Sequence, residues 1–370
     1  MDNRLQPAVE GFRDRSLAQP LVQEIHRLAR ELGREIRIME VCGTHTVALR
    51  REGIRSLLPE NILMISGPGC PVCVTPAGYI DNALSLLAQG RAAVASFGDL
   101  IRVPGTGGDS LSRYLGTRRV RIVYSPSELP ALARETEGPL VFLGIGFETT
   151  APAVASVFLR AKRLGLGNLL LYSALKTIPP ALKALLASAD RSFDAFLLPG
   201  HVSVIIGEQA YRFLEDPGGV PGVIAGFEPL DLLAGILQVL RLLRAGARGV
   251  ENAYTRAVRP EGNPRALETL HRLLEPCAAL WRGLGELPGS GLRLREEFSQ
   301  LDAATRFRLP ELESREPAGC LCARVLTGRS RPEQCPLFAG ACTPQRPAGA
   351  CMVSSEGACA AHYRYGEEPV

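Results

Sequence analysis

The chain has 370 residues, enough for two or three domains that each bury a core. Apolar residues make up 46% and charged residues 22%, with a net charge of +4; no basic tract is dense enough for a nucleic-acid or membrane surface. No run approaches the roughly 18 apolar residues of a membrane span, and the opening MDNRLQPAVEGFRDRS has no apolar leader segment, so a cytoplasmic protein without nucleic-acid or membrane partners is expected.

Up to about residue 230 one unit recurs: a short apolar run, a polar or Gly-rich turn, then a helical pattern. The runs are IRIMEV (36–41), NILMIS (61–66), AAVASF (92–97), RVRIVY (119–124), PLVFLGI (139–145), NLLLYS (168–173), DAFLLPG (194–200) and GVIAGF (222–227). Continuous apolar strands suit a parallel sheet covered on both faces. Helical patterns between them, such as TPAGYIDNALSLLAQG with Thr75 as N-cap and Pro76 in the first turn, supply the crossovers. The fold class is therefore α/β. ARETEGP (133–139) reads as a linker. Two Rossmann-like domains facing a cleft are expected, over 1–135 and 136–255, with a helical segment and Cys-rich domain over 256–370.

In such sheets the ligand crevice lies beyond the carboxyl ends of the strands. The turns there carry CGTHT (42–46), GPGCPVC (67–73), GDLIRVPGTGGDS (98–110), GFETT (146–150), PGHVS (199–203) and GFEP (226–229). Cys42, His45, Cys70, Cys73, Asp99, Glu148, His201 and Glu228 are thus expected along one edge. GTGGDS lacks the Lys-Ser/Thr of a P-loop and GIGFET lacks the third glycine of the dinucleotide fingerprint, so both read as turns.

In a reducing compartment the ten cysteines are metal ligands or redox thiols rather than disulfides. The pair Cys70-x2-Cys73 fits half a zinc site, a redox dithiol, or two buried thiols. Cys42 and His45, three residues apart, fit a metal or nucleophile site; a cysteine protease built on Cys42 would leave the tail unexplained. The tail spacing Cys335-x6-Cys342-x8-Cys351-x7-Cys359 provides four thiolates for a [4Fe–4S] cluster or zinc, and the lack of tight CxxC turns favours iron–sulfur. Cys320-x-Cys322 reads as a redox pair or spare thiols.

These motifs, in this order, resemble the HypD family of [NiFe]-hydrogenase maturation factors: CGTHT, GPGCPVC, GFETT, PGHVS and the tail CPLFAGACTP…GACMVSSEGACAAHYRY (335–365). One departure is His362, where the family pattern has an aromatic residue. The resemblance implies a scaffold that, with HypC, binds iron and assembles the Fe(CN)2CO group using cyanide from HypE, for delivery to the hydrogenase large subunit. It implies that Cys42 and His45 hold that Fe(II), that Cys70 and Cys73 are the redox pair, and that Cys335, Cys342, Cys351 and Cys359 hold a [4Fe–4S] cluster. Glu148 and His201 are assigned to the ligand chemistry. A stand-alone iron–sulfur thiol-disulfide reductase and a zinc-dependent binding module are the competing readings.

Overall fold

The computed structural model describes residues 11–313 and 315–366. Residues 1–10, on which the expectation of no leader segment partly falls, lie outside them. All eight apolar runs form strands: β1 (Ile36–Glu40), β2 (Ile62–Ser66), β3 (Ala93–Ser96), β4 (Val120–Ile122), β5 (Leu140–Gly146), β6 (Leu169–Leu175), β7 (Ala195–Pro199) and β8 (Pro221–Ala225). Three more follow: β9 (Gly249–Asn252), β10 (Leu274–Trp281) and β11 (Gly285–Leu294).

The strands sort into a five-stranded sheet ordered β2-β1-β7-β8-β9, a four-stranded sheet ordered β4-β3-β5-β6, and the pair β10-β11. Both larger sheets are parallel throughout. The expected linker at 133–139 needs correction, because it falls inside the four-stranded sheet. β3 before it pairs with β5 after it, Val94 beside Val141. The helix Leu129–Glu135 is the crossover that a parallel strand requires on returning from edge strand β4. Of the helical segment expected after 256, Pro264–Leu273 is a helix, whereas residues 274–294 form an antiparallel hairpin.

Side-chain alternation explains the unbroken apolar runs. In β7, Ala195 and Leu197 face an outer core that also holds Ile36 and Ile38, while Phe196 and Leu198 face inward. In β5, Leu140 and Phe142 face a second outer core, while Val141, Leu143 and Ile145 face inward. The inward faces of the two sheets belong to one continuous apolar cluster, which also takes in Cys70, Cys73, Tyr79, Trp281 and the tail residues Cys351 and Met352. The central strands β5, β7 and β8 are thus buried on both faces, while edge strand β4 leaves Ile122 exposed.

Connectivity then places the loops of interest. In the five-stranded sheet the chain leaves β1 for β2 on one side and β7 for β8 on the other; the strand order reverses between β1 and β7. In the four-stranded sheet the reversal lies between β3 and β5. Crevices open at such switch points. Cys42 follows β1, His201 follows β7, Asp99 follows β3 and Glu148 follows β5.

Candidate metal and thiol site

Cys42 is the N-cap of the helix Gly43–Arg51. Its thiol is buried, and burial, followed by the charge of Glu356, pushes its pKa up to about 11. His45, one turn on, is fully buried. Its Nε2 lies 3.0 Å from the Gly226 carbonyl and 3.3 Å from that of Ala225. Carbonyls only accept, so Nε2 donates and Nδ1 carries the lone pair. That Nδ1 is buried with no hydrogen-bond partner among the described residues. Burial holds the imidazole pKa down to about 4, so the ring is neutral at pH 7.

The GPGCPVC loop packs directly on this one. The Gly43 N–H donates to the Gly69 carbonyl at 3.1 Å, and a Cβ at Gly69 would run into the Cys42 backbone. Only glycine permits so close an approach. Cys70 and Cys73 are joined as a disulfide, with Cα atoms 5.2 Å apart, a span within the disulfide range. A short helix not expected from sequence, Pro71–Val74, is capped by Cys70, its Sγ accepting from the Cys73 N–H at 3.2 Å. The helix expected from a Thr75 cap follows one residue later, Ala77–Ala88 with Pro76 as its N-cap.

Other members of the expected edge take distinct positions. The ring of Phe227 stacks against His201, centroids 3.8 Å apart, and on His45 at 4.8 Å. Glu148 is buried; its Oε1 accepts from the Ile178 N–H at 2.8 Å and its Oε2 has no partner among the described residues. Burial raises its pKa to about 7. Glu228 instead caps the helix Pro229–Arg244 and pairs with Arg13 at 2.6 Å. One side chain that spacing did not flag is Tyr211. It hydrogen-bonds Ser203 of the PGHVS loop at 3.0 Å, and burial raises its pKa, with further contributions from Glu148 and Cys42. Tyr211 stands in no motif with chemical spacing, so only the fold reveals it.

The tail reaches into the same region. Ser354 and Ser355 donate to Asp99 Oδ2 at 3.1 and 3.0 Å. Glu356 accepts from Thr44 at 2.7 Å, and a Cβ at Gly43 would strike it. This segment lies between Cys351 and Cys359, so the Cys-rich tail closes over Cys42.

Six thiols line one cavity: Cys320, Cys322, Cys335, Cys342, Cys351 and Cys359, together with Leu337, Phe338, Gly349 and Met352. Cys320 and Cys322, read from sequence as an extra pair, therefore belong with the other four. Cys322 Sγ lies 2.7 Å from Cys351 Sγ. Hydrogen bonds from Cys320 and Cys351 hold the Cys322 pKa well below an ordinary thiol, and the same contact with Cys322 raises that of Cys351. His362 packs edge-on to Phe338, centroids 5.3 Å apart, so it fills the aromatic position from which it departs. No helix among the described residues is long and apolar enough to cross a membrane.

Comparison with known proteins gives the chain's relatives. The HypD model, described as a hydrogenase formation family, matches residues 16–366. The chain is 44% identical over 369 residues to the hydrogenase maturation factor HypD of Azotobacter vinelandii, covering 97% of each chain. It is 43% identical over 367 residues to that of Cupriavidus necator, again covering 97% of each. Against that of Escherichia coli it is 41% identical over 368 residues, covering 97% of this chain and 98% of the relative. With both the motifs and almost the whole described length matched, this chain belongs to the HypD family of hydrogenase maturation factors.

Proposed function

We propose that this chain is the redox-active scaffold of hydrogenase maturation. With HypC it would hold Fe(II) as cargo while cyanide from HypE and carbon monoxide are added, and the finished Fe(CN)2CO group would pass to the hydrogenase large subunit. The observation that carries this reading is the buried His45 Nδ1 with no partner among the described residues, one helical turn from the buried Cys42, in a loop bonded to the Cys70–Cys73 loop. Cyanide and CO favour low-spin Fe(II), which soft thiolate and imidazole donors suit. A bound cation lowers a neighbouring thiol's pKa outright, so iron would deprotonate a Cys42 that burial otherwise keeps protonated. Glu148 can hold or release a proton near neutral pH, and His201 flanks the same switch point as Cys42.

The tail donors fit an iron–sulfur group. Six thiols and four apolar or backbone lining residues form a soft donor set. The four thiolates of a [4Fe–4S] cluster bind different irons, so their sulfurs stand apart. Cys322 and Cys351 are in direct contact, so we assign these two to thiol–disulfide chemistry and the cluster to the four other thiols of the cavity, Cys320, Cys335, Cys342 and Cys359, with Cys320 in place of Cys351 in the set taken from spacing. Such a cluster would supply electrons one at a time. The helices Cys322–Leu326 and Ala350–Val353 both pack on Pro71–Val74, so the Cys322/Cys351 pair neighbours Cys70–Cys73 and can relay two electrons to it.

Cys73→Ser tests the redox assignment. The variant should keep its partner complex and tail colour. Its thiol titre should no longer change at the CxxC pair between oxidised and reduced protein. A Cys73→Ser protein with the wild-type change in titre would remove this pair from the reading.

A further inference from the structure

The turn after β10 carries a buried cation that the reading above does not use. Arg282 is 2% exposed. Its backbone N–H donates to the Val74 carbonyl at 2.8 Å and its Nη2 to the Thr75 carbonyl at 2.9 Å. Val74 and Thr75 close the short helix that Cys70 opens. Nη1 donates to Glu316 Oε2 at 2.6 Å, and Nε has no partner among the described residues. The adjoining Gly283 packs on the helix that Cys322 opens, where a Cβ would strike the Ala323 backbone, and, against the lowering effect of burial, the charges of Cys322 and Cys351 act on the guanidinium to raise its pKa. Burying a guanidinium costs several kcal/mol unless it is well paired, and an arginine keeps its charge under all ordinary conditions. Here the charge lies between two sulfur pairs and is balanced by one carboxylate.

We infer that Arg282 is a positioning residue for thiol–disulfide transfer: its fork ties the end of the Cys70–Cys73 helix to Glu316, and its fixed charge favours the reduced state of the Cys322/Cys351 pair. This rests on the relay proposed above. In the transfer, the Cys70–Cys73 bond breaks and a Cys322–Cys351 bond forms. Two electrons and two protons pass from the second pair to the first, and no outside reagent is consumed. A cation beside the reduced sulfurs stabilises their negative charge and so raises that pair's reduction potential. Glu316 opposes this by neutralising the cation.

The test uses the anaerobically prepared full chain, poised at graded dithiothreitol ratios, with each cysteine's state read by differential alkylation and mass spectrometry. Arg282→Met should make the Cys322/Cys351 pair more reducing, shifting the exchange constant between the two pairs about tenfold toward reduced Cys70/Cys73; for a two-electron couple that is about 30 mV. Arg282→Lys keeps the charge and should restore most of the shift. Glu316→Gln leaves the cation unbalanced and should move the potential the opposite way, which a purely structural role would not do. A folded Arg282→Met with the wild-type exchange constant overturns the inference. If Arg282→Met does not fold, Glu316→Gln decides, and an unchanged or lowered potential overturns it equally. If the unsubstituted protein shows no Cys322/Cys351 couple at any poise, the relay itself fails, and the inference with it; that outcome is distinct from a relay that works without Arg282.

Discussion

Glu148 shows how much of the proposed chemistry rests on single groups. A buried carboxyl with one oxygen bonded to a backbone N–H and the other unpartnered is held near the neutral form, with a pKa of about 7. Its folded pKa lies above its unfolded value of 4.5, so its contribution to stability is complete below about pH 4.5 and is lost as pH rises through about 7. The full shift corresponds to about 3 kcal/mol. Glu148→Gln cannot ionise. It should melt close to wild type at pH 5 and above it at pH 8, and yet fail in hydrogenase maturation. Melting curves across that range check the first part; a variant whose melting temperature runs parallel to wild type would contradict it. Cys42, His45, Cys70 and Cys73 were legible because their spacing within one loop is itself chemical information. Tyr211, Glu356 and Arg282 were not. Each acts on a residue far away in the chain, and such a juxtaposition exists only after folding.

At the scale of elements, the eight continuous apolar runs were readable because strands buried on both faces need no polar positions. Edge strand β9, GVEN, has no such run; its pairing with β8 supplies what its composition lacks. The β10–β11 hairpin was misread for a related reason. Residues 285–294 include Gly285, Pro288, Gly289 and Gly291, and antiparallel pairing overrides their weak strand propensity. In the tail the helices are short, Cys322–Leu326, Ala350–Val353 and Ala358–Tyr365, so little of its order comes from regular structure, and a metal group is a common remedy. Cys342 remains in the proposed ligand set and is buried. Cys342→Ala should therefore bleach the brown colour expected of anaerobically purified protein and make residues 320–366 more susceptible to proteolysis. A colourless, zinc-loaded wild-type tail under those conditions would contradict the assignment.

At the scale of the whole molecule, the chain builds two strands of the five-stranded sheet, leaves to build the four-stranded sheet, and returns for the other three. A linear boundary near 135 could not anticipate this, since sheet membership is decided by pairing between distant strands rather than by local composition. The consequence is functional. Loops from both switch points and the Cys-rich tail converge around Cys42, with Asp99 and Thr44 fastening the tail segment Ser354–Glu356. Iron, dithiol and cluster chemistry can then share one interior. The central claim is that iron is held by Cys42, while the Cys70–Cys73 pair and the tail thiols serve electron transfer. It is tested most directly by infrared spectroscopy of the complex of Cys42→Ala with HypC. The account predicts loss of the cyanide and CO bands with the tail cluster's visible absorption retained. Full-strength bands from that variant would contradict it and place the iron elsewhere.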